Sequence, residues 1–109
     1  MILRVWHGWT PPSAAGDYER LLRTAIFPGI LARRIPGFQG IQLGCRDLGD
    51  SVEFVTIMRF DSLDSVRAFA GPDFEVAVVP PEARALLSRW DERSAHYELR
   101  IDERPGGGG

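Results

Sequence analysis

Residues 51–61, SVEFVTIMRFD, alternate with a period of two, with Phe54, Thr56, Met58 and Phe60 on one side and Glu53, Val55, Ile57 and Arg59 on the other. That period predicts a strand. Residues 2–10, ILRVWHGWT, are rich in β-branched and aromatic types and stop at Pro11-Pro12, which predicts an opening strand. FQGIQLGCRD, residues 38–47, alternates and runs into the turn formers of DLGDS, as in a hairpin. SAHYELR, residues 94–100, alternates as a closing strand.

Between these segments the period lengthens to that of helices. Ser13 is placed to cap a helix carrying Tyr18, Leu21, Leu22 and Ala25. Pro28 interrupts that pattern, so PGILARRIPG is expected to continue as a second short helical turn with Pro28 near its start, closed by Pro36-Gly37. Asp61 or Ser62 caps a helix with Leu63, Val66, Phe69 and Ala70, stopped by Gly71-Pro72. DFEVAVV is ambiguous between loop and helical turn. After Pro80-Pro81, Ala83, Leu86, Leu87 and Trp90 fall on one face of a predicted third helix.

The order reads β-α-β-β-α-β, the ferredoxin-like pattern of an α+β fold with one antiparallel sheet. It spans residues 1–103 as a single domain, followed by a flexible Gly-rich tail at 104–109. Helices on one side normally leave the other face of such a sheet wet. Here the third strand is apolar on both faces, and Trp6 and Trp9 lie on opposite sides of the first. The second face needs a cover, and a chain of 109 residues is expected to supply it as a second copy, making a homodimer.

Composition narrows the partners. The chain is 44% hydrophobic and 26% charged, an ordinary globular balance, with no apolar run of the ~20 residues that span a bilayer. Its formal charge of −2 and scattered basic residues leave no nucleic-acid footprint. The opening residues read as a strand rather than a signal peptide, and one cysteine, Cys45, forms no internal disulfide, so a cytoplasmic location is expected. All thirteen basic residues are arginine, which excludes Schiff-base and P-loop lysine chemistry, and asparagine is absent as an oxyanion donor.

The residues left for chemistry are few. His96 titrates near neutrality and suits a general acid or base; equally, it suits a strand histidine bonded to a carbonyl or an acid such as Glu98. His7 points to the face opposite Trp6. A His7–His96 pair lacks a third ligand at a recognisable spacing, so no metal site is expected. Trp6, Trp9 and Phe60 can wall an aromatic pocket or pack as core. Arg59 can bind a substrate anion or pair with Glu53 or Glu98. Tyr18 can donate to a ligand or pack under the sheet, and Cys45 reads as a small hydrophobe.

The strands RVWHGWT, the IPGFQGIQL approach to the second strand, EFVTIMRFDSLDSVRAFAG with DFEVAVVPPEARALL, and the closing HYE together resemble the antibiotic biosynthesis monooxygenase family over residues 2 to 101. The resemblance implies a dimeric α+β barrel, two protomers packed sheet to sheet, with a pocket in each between sheet and helices. It implies oxygenation of polyphenolic, often polycyclic substrates to quinones without metal or flavin; a related branch binds and degrades haem, and others are isomerases or cyclases. Phe60 stands where the family has a strand-ending aromatic, and Thr56 where the oxygenases have asparagine. The haem-degrading pattern has its axial histidine where this chain has Val78 and Val79, so no haem is expected.

The resulting expectation is a cofactor-independent enzyme on a hydrophobic aromatic or polyketide-type metabolite. His96 would move the proton, with Trp6, Thr56, Phe60, Arg59 and His7 around the substrate. The alternative is a non-catalytic dimeric ligand-binding or stress-response module, or an isomerase or cyclase on the same fold.

Overall fold

A computed structural model describes residues 1–106. The expected Gly-rich tail falls partly beyond it, residues 107–109 lying outside the described residues; 104–106 form no helix or strand. β1 (Ile2–Thr10), β2 (Phe38–Asp47) and β3 (Val52–Phe60) have the bounds that alternation predicts to within a residue. They form one antiparallel sheet in the order β2-β3-β1, and the two short strands β4 (Arg89–Trp90) and β5 (Ala95–Glu98) share the free edge of β1. This is the α+β, ferredoxin-like sheet.

Register fixes the faces. Ile2, Arg4, Trp6 and Gly8 lie opposite Phe60, Met58, Thr56 and Phe54, and His96 lies opposite Arg4. These residues face the helices. Leu3, Val5, His7 and Trp9 share the other face with Arg59, Ile57, Val55 and Glu53.

The helical side departs from the sequence reading in two places. Ser13 caps nothing: it lies inside a 3₁₀ turn, Pro12–Ala14, that the two prolines initiate, ahead of α1 (Ala15–Leu21). Pro28 opens the second short helix, as its position predicts. A widened π-type turn at Leu22–Ile26 precedes α2 (Phe27–Ala32), so the proline falls in a first turn, where its missing N–H is unused. The Thr24 hydroxyl donates to the Arg20 carbonyl at 2.7 Å within the widened segment.

α3 (Leu63–Ala70) begins as predicted, with Ser62 Oγ accepting the Ser65 N–H at 3.3 Å, and ends at Gly71 with φ 92°. Gly37, at φ 80°, brings the Pro36-Gly37 turn against α3. A Cβ there would stand 2.5 Å from Ser65 Oγ, and that hydroxyl donates to the Pro36 carbonyl. The helix after the second proline pair is α4 (Pro81–Arg84), a single turn. Trp90 is therefore not on a helix face but on β4 opposite Gly8. Gly8 also lets Leu87 and the Trp6 ring close over β1, since a Cβ there would meet Leu87 Cδ2 and the Trp6 ring at 2.9 Å.

Two apolar clusters fill the space between sheet and helices. One joins Tyr18, Leu22, Phe54, Val79, Ala83 and Leu87; the other joins Ile35, Met58, Phe60, Val66 and Phe69.

Candidate active site

A cavity opens at the seam of the two clusters. Its floor is the sheet: Arg4, Trp6, Ile41, Thr56 and Met58. Tyr18, Leu22, Ile26, Phe27 and Ile30 roof it from α1, the widened turn and α2; Phe69, Val78, Val79, Pro80, Ala83 and Ser94 close the sides. The volume open to the centre of a water molecule is about 60 Å³. That holds a few waters and falls short of the ~300–1,000 Å³ of drug-sized sites, so a polycyclic ligand enters only if the wall shifts. A roomier depression, about 380 Å³, lies outside between α1, α2 and Leu43 of β2, but its Glu19 and Arg23 are spent on each other at 2.8 Å.

Arg4 is the chemical centre of the cavity, and the sequence reading overlooked it. It is 3% exposed. Nη1 donates to the Phe74 carbonyl and, at 2.9 Å, to His96 Nε2; Nη2 donates to the Val76 carbonyl at 3.2 Å. Burial lowers its pKa to about 10, so it remains a cation at neutral pH. The guanidinium carbon lies 5.4 Å from the Phe69 ring centre.

His96 sits behind Arg4 and is not on the cavity wall. A guanidinium only donates, so Nε2 accepts and the proton of the neutral ring is on Nδ1, which is buried without a partner among the described residues. The ring stands edge-on to Phe74, centres 5.1 Å apart. Burial, then the Arg4 charge, lower its pKa from 6.5, with Glu75 opposing. A folded histidine with a lowered pKa binds fewer protons than the unfolded chain, so its contribution to stability is whole above 6.5 and is lost as pH falls below it. Urea unfolding should therefore show a larger loss of stability from pH 7.5 to 5.5 in the wild type than in His96→Gln, whose amide oxygen can still accept from Arg4. Equal losses in the two proteins would contradict this.

Trp6 and Thr56 meet at the cavity as the sequence suggests. The other expected substrate residues stand apart. Phe60 is fully buried in the second cluster, between Phe38 and Phe69 at 5.4 and 5.9 Å between ring centres, and does not line the cavity. His7 and Arg59 are on the opposite face of the sheet. His7 Nδ1 lies 2.8 Å from Asp91 Oδ2, which also accepts the His7 N–H, and the ring stacks on Trp9. With the sheet between them, His7 and His96 cannot share an ion. Arg59 does not pair with Glu53, whose carboxylate is taken by Arg46 at 3.0 Å and by Trp9 Nε1 at 3.2 Å. Glu98 shares the His96 face without bonding it. Tyr18 is buried against Phe54, and burial raises its pKa to about 12, so it is a neutral donor.

Ser94 is the second overlooked residue. It lines the cavity at 4% exposure, and its Oγ has no partner among the described residues. The signal for Arg4 was present in the sequence, since it shares strand parity with Trp6; Ser94, at a strand end, carried none.

No family model and no curated protein matches the chain. Solved structures do match in fold. A variant of MhuD with two manganese protoporphyrin IX bound per active site superposes with a TM-score of 0.66 at 17% identity, covering 96% of this chain and 100% of that one. The monooxygenase from the gene ActVA-Orf6 of Streptomyces coelicolor, in complex with nanaomycin D, gives 0.62 at 16% identity over 96% and 92%. SnoaB, a cofactor-independent oxygenase from Streptomyces nogalater, gives 0.56 at 22% over 93% and 95%. At these identities the likeness is one of fold.

Proposed function

We propose that this chain, which has the fold of antibiotic biosynthesis monooxygenase-type proteins, is a cofactor-independent monooxygenase-like enzyme acting on a hydrophobic aromatic or polyketide-type metabolite. The observation that carries the reading is an apolar cavity into which Arg4, Thr56 and Ser94 converge beside Trp6. In the reaction an activated methylene and O₂ give a carbonyl and water: the carbon is oxidised, one oxygen enters the product and the other leaves as water. Removing the first proton makes the electron-rich anion that passes an electron to oxygen. Trp6 stacks the flat ring, Thr56 hydrogen-bonds its oxygen, and Arg4 stabilises the anion. His96 receives the proton once its hydrogen bond from Arg4 gives way.

The outer face of the sheet, with Leu3, Val5, Val55 and Ile57 half-buried in the single chain, is assigned to a second copy of this chain. His7 and Arg59 belong to that face. Among the described residues no helix is long and apolar enough to cross a membrane.

A second reading, a non-catalytic ligand-binding module, is favoured by one observation: His96 Nε2 is already occupied by Arg4. Oxygen uptake and quinone formation with anthrone separate the two. Protein-dependent turnover that falls in His96→Ala, with the oligomeric state intact, supports the enzyme. Thermal stabilisation by anthrone without oxygen uptake supports the binding module and overturns the first reading.

A further inference from the structure

Among the described residues, Arg4 is a buried cation without a counter-ion. Its three hydrogen bonds go to two carbonyls and a neutral imidazole, and none goes to a carboxylate. The acids nearby are committed elsewhere or turned to solvent: Glu75 pairs with Arg93 at 3.2 Å, and Glu98 is exposed on β5 opposite Ile2. A charge taken out of water normally keeps a paired charge beside it, because its desolvation penalty is otherwise uncompensated.

The donors of Arg4 point the same way. A guanidinium has five N–H groups, and three are used; one on Nη2 and the one on Nε remain. Nη2 and Nε are neighbours on the guanidinium plane, and the parallel N–H bonds of such a pair match the two oxygens of a carboxylate. Nε has no partner among the described residues, yet it is not among the atoms sealed from solvent, although the residue is 3% exposed. Arg4 therefore keeps an open donor edge in a buried setting.

Ser94 is independent of this. It comes from the far end of the chain, is 4% exposed and lines the same cavity; its Oγ has no partner among the described residues and is closed to solvent, so it meets a ligand only when the wall shifts. A buried hydroxyl left without a hydrogen bond costs stability unless a ligand or water completes it. Apart from Thr56 and Tyr18, the rest of the wall, from Trp6 to Phe27 and Met58, is apolar. A cation edge and an orphan hydroxyl in an apolar cleft fit an amphipathic acid.

We infer that the cavity, opened by a shift of its wall, takes a hydrophobic carboxylic acid, its carboxylate held by the free donors of Arg4 and the Ser94 hydroxyl and its flat apolar body lying along Trp6. This rests on the reading of the cavity as the ligand site and makes its ligand an acid rather than a neutral phenol; for an acid, the donors of Arg4 go to the carboxylate in place of a ring anion.

The test is binding of 2-naphthoate and of its uncharged methyl ester, followed by calorimetry and by quenching of tryptophan fluorescence. The wild type is expected to bind the acid at least tenfold more tightly than the ester. Ser94→Ala should weaken the acid severalfold and leave the ester unchanged. Arg4→Gln should bring acid and ester to equal affinity, and Arg4→Lys should keep part of the preference, which separates lost charge from lost fold. Equal binding of acid and ester by the wild type, no binding of the acid, or an acid preference that persists in Arg4→Gln each overturns the inference. Anthrone turnover is read on the same samples. Turnover without naphthoate binding leaves the oxygenase reading standing and removes this one; naphthoate binding without turnover does the reverse.

Discussion

Phe60→Ala is expected to lower the free energy of unfolding by about 3–5 kcal/mol. Phe60 ends β3 fully buried, between the rings of Phe38 and Phe69 and beside Val66 of α3. Truncation removes the ring from both contacts at once, where β3 hands the chain to the Ser62 cap of α3. The surroundings have little freedom to collapse, because the Pro36-Gly37 turn is itself pinned to Ser65. Urea unfolding should show the midpoint falling at unchanged slope. A loss below about 1 kcal/mol, with ligand affinity reduced instead, would return Phe60 to the role of stacking wall.

Arg4→Met carries the largest expected effect on activity, a fall in anthrone turnover of about 10²–10³-fold, the usual cost of deleting a donor to a developing oxyanion. Methionine follows the arginine stem and leaves the apolar wall in place, so binding of an uncharged ring changes little. The stability effect is a difference of opposed changes. The Phe74 and Val76 carbonyls and His96 Nε2 lose a donor, while the desolvated charge disappears. A second readout separates catalysis from damage. With the neighbouring cation gone, one of the two causes that lower the His96 pKa is removed, so the acid limb of the residual pH–rate profile should move to higher pH. A variant as active as the wild type, or a residual profile with an unmoved limb, would take Arg4 out of the mechanism.

The strands were legible because their code is local. Alternation over Val52–Phe60 and Phe38–Asp47, prolines at one end and turn formers at the other, set the bounds of β2 and β3 without reference to the rest of the chain. The Ser62 cap and the Gly71 stop were legible for the same reason. Pro28 was legible as the start of a second short helix, but the widened turn at Leu22–Ile26 just before it was not, because nothing in the spacing of Leu21, Leu22 and Ala25 distinguishes it from an ordinary helical turn. Trp90 was misread because Leu86, Leu87 and Trp90 keep helical spacing, while the edge of β1 at Gly8 and Trp9 offered the chain a better place to pair.

The candidate site divides along the same line. Sequence alone determined that Trp6 and Thr56 each belong to an alternating strand, and that His96 lies on a strand antiparallel to β1. It also determined that the sheet is apolar on both sides. It did not determine which side holds the cavity. A strand's period of two assigns its residues to two faces but does not say which is which, and a shift of one residue exchanges them. The tertiary structure made that choice through the register of β1 against β3 and β5, which sets Arg4 beside His96 under the helices and sends His7 and Arg59 to the far face. Ser94 entered the site only when residues 91–94 folded back between β4 and β5, a placement set by contacts with Trp6 and His7 more than eighty residues away in the chain. His96 remains the histidine on the helix side, but Arg4, which alternation alone does not single out, is the residue that faces the cavity.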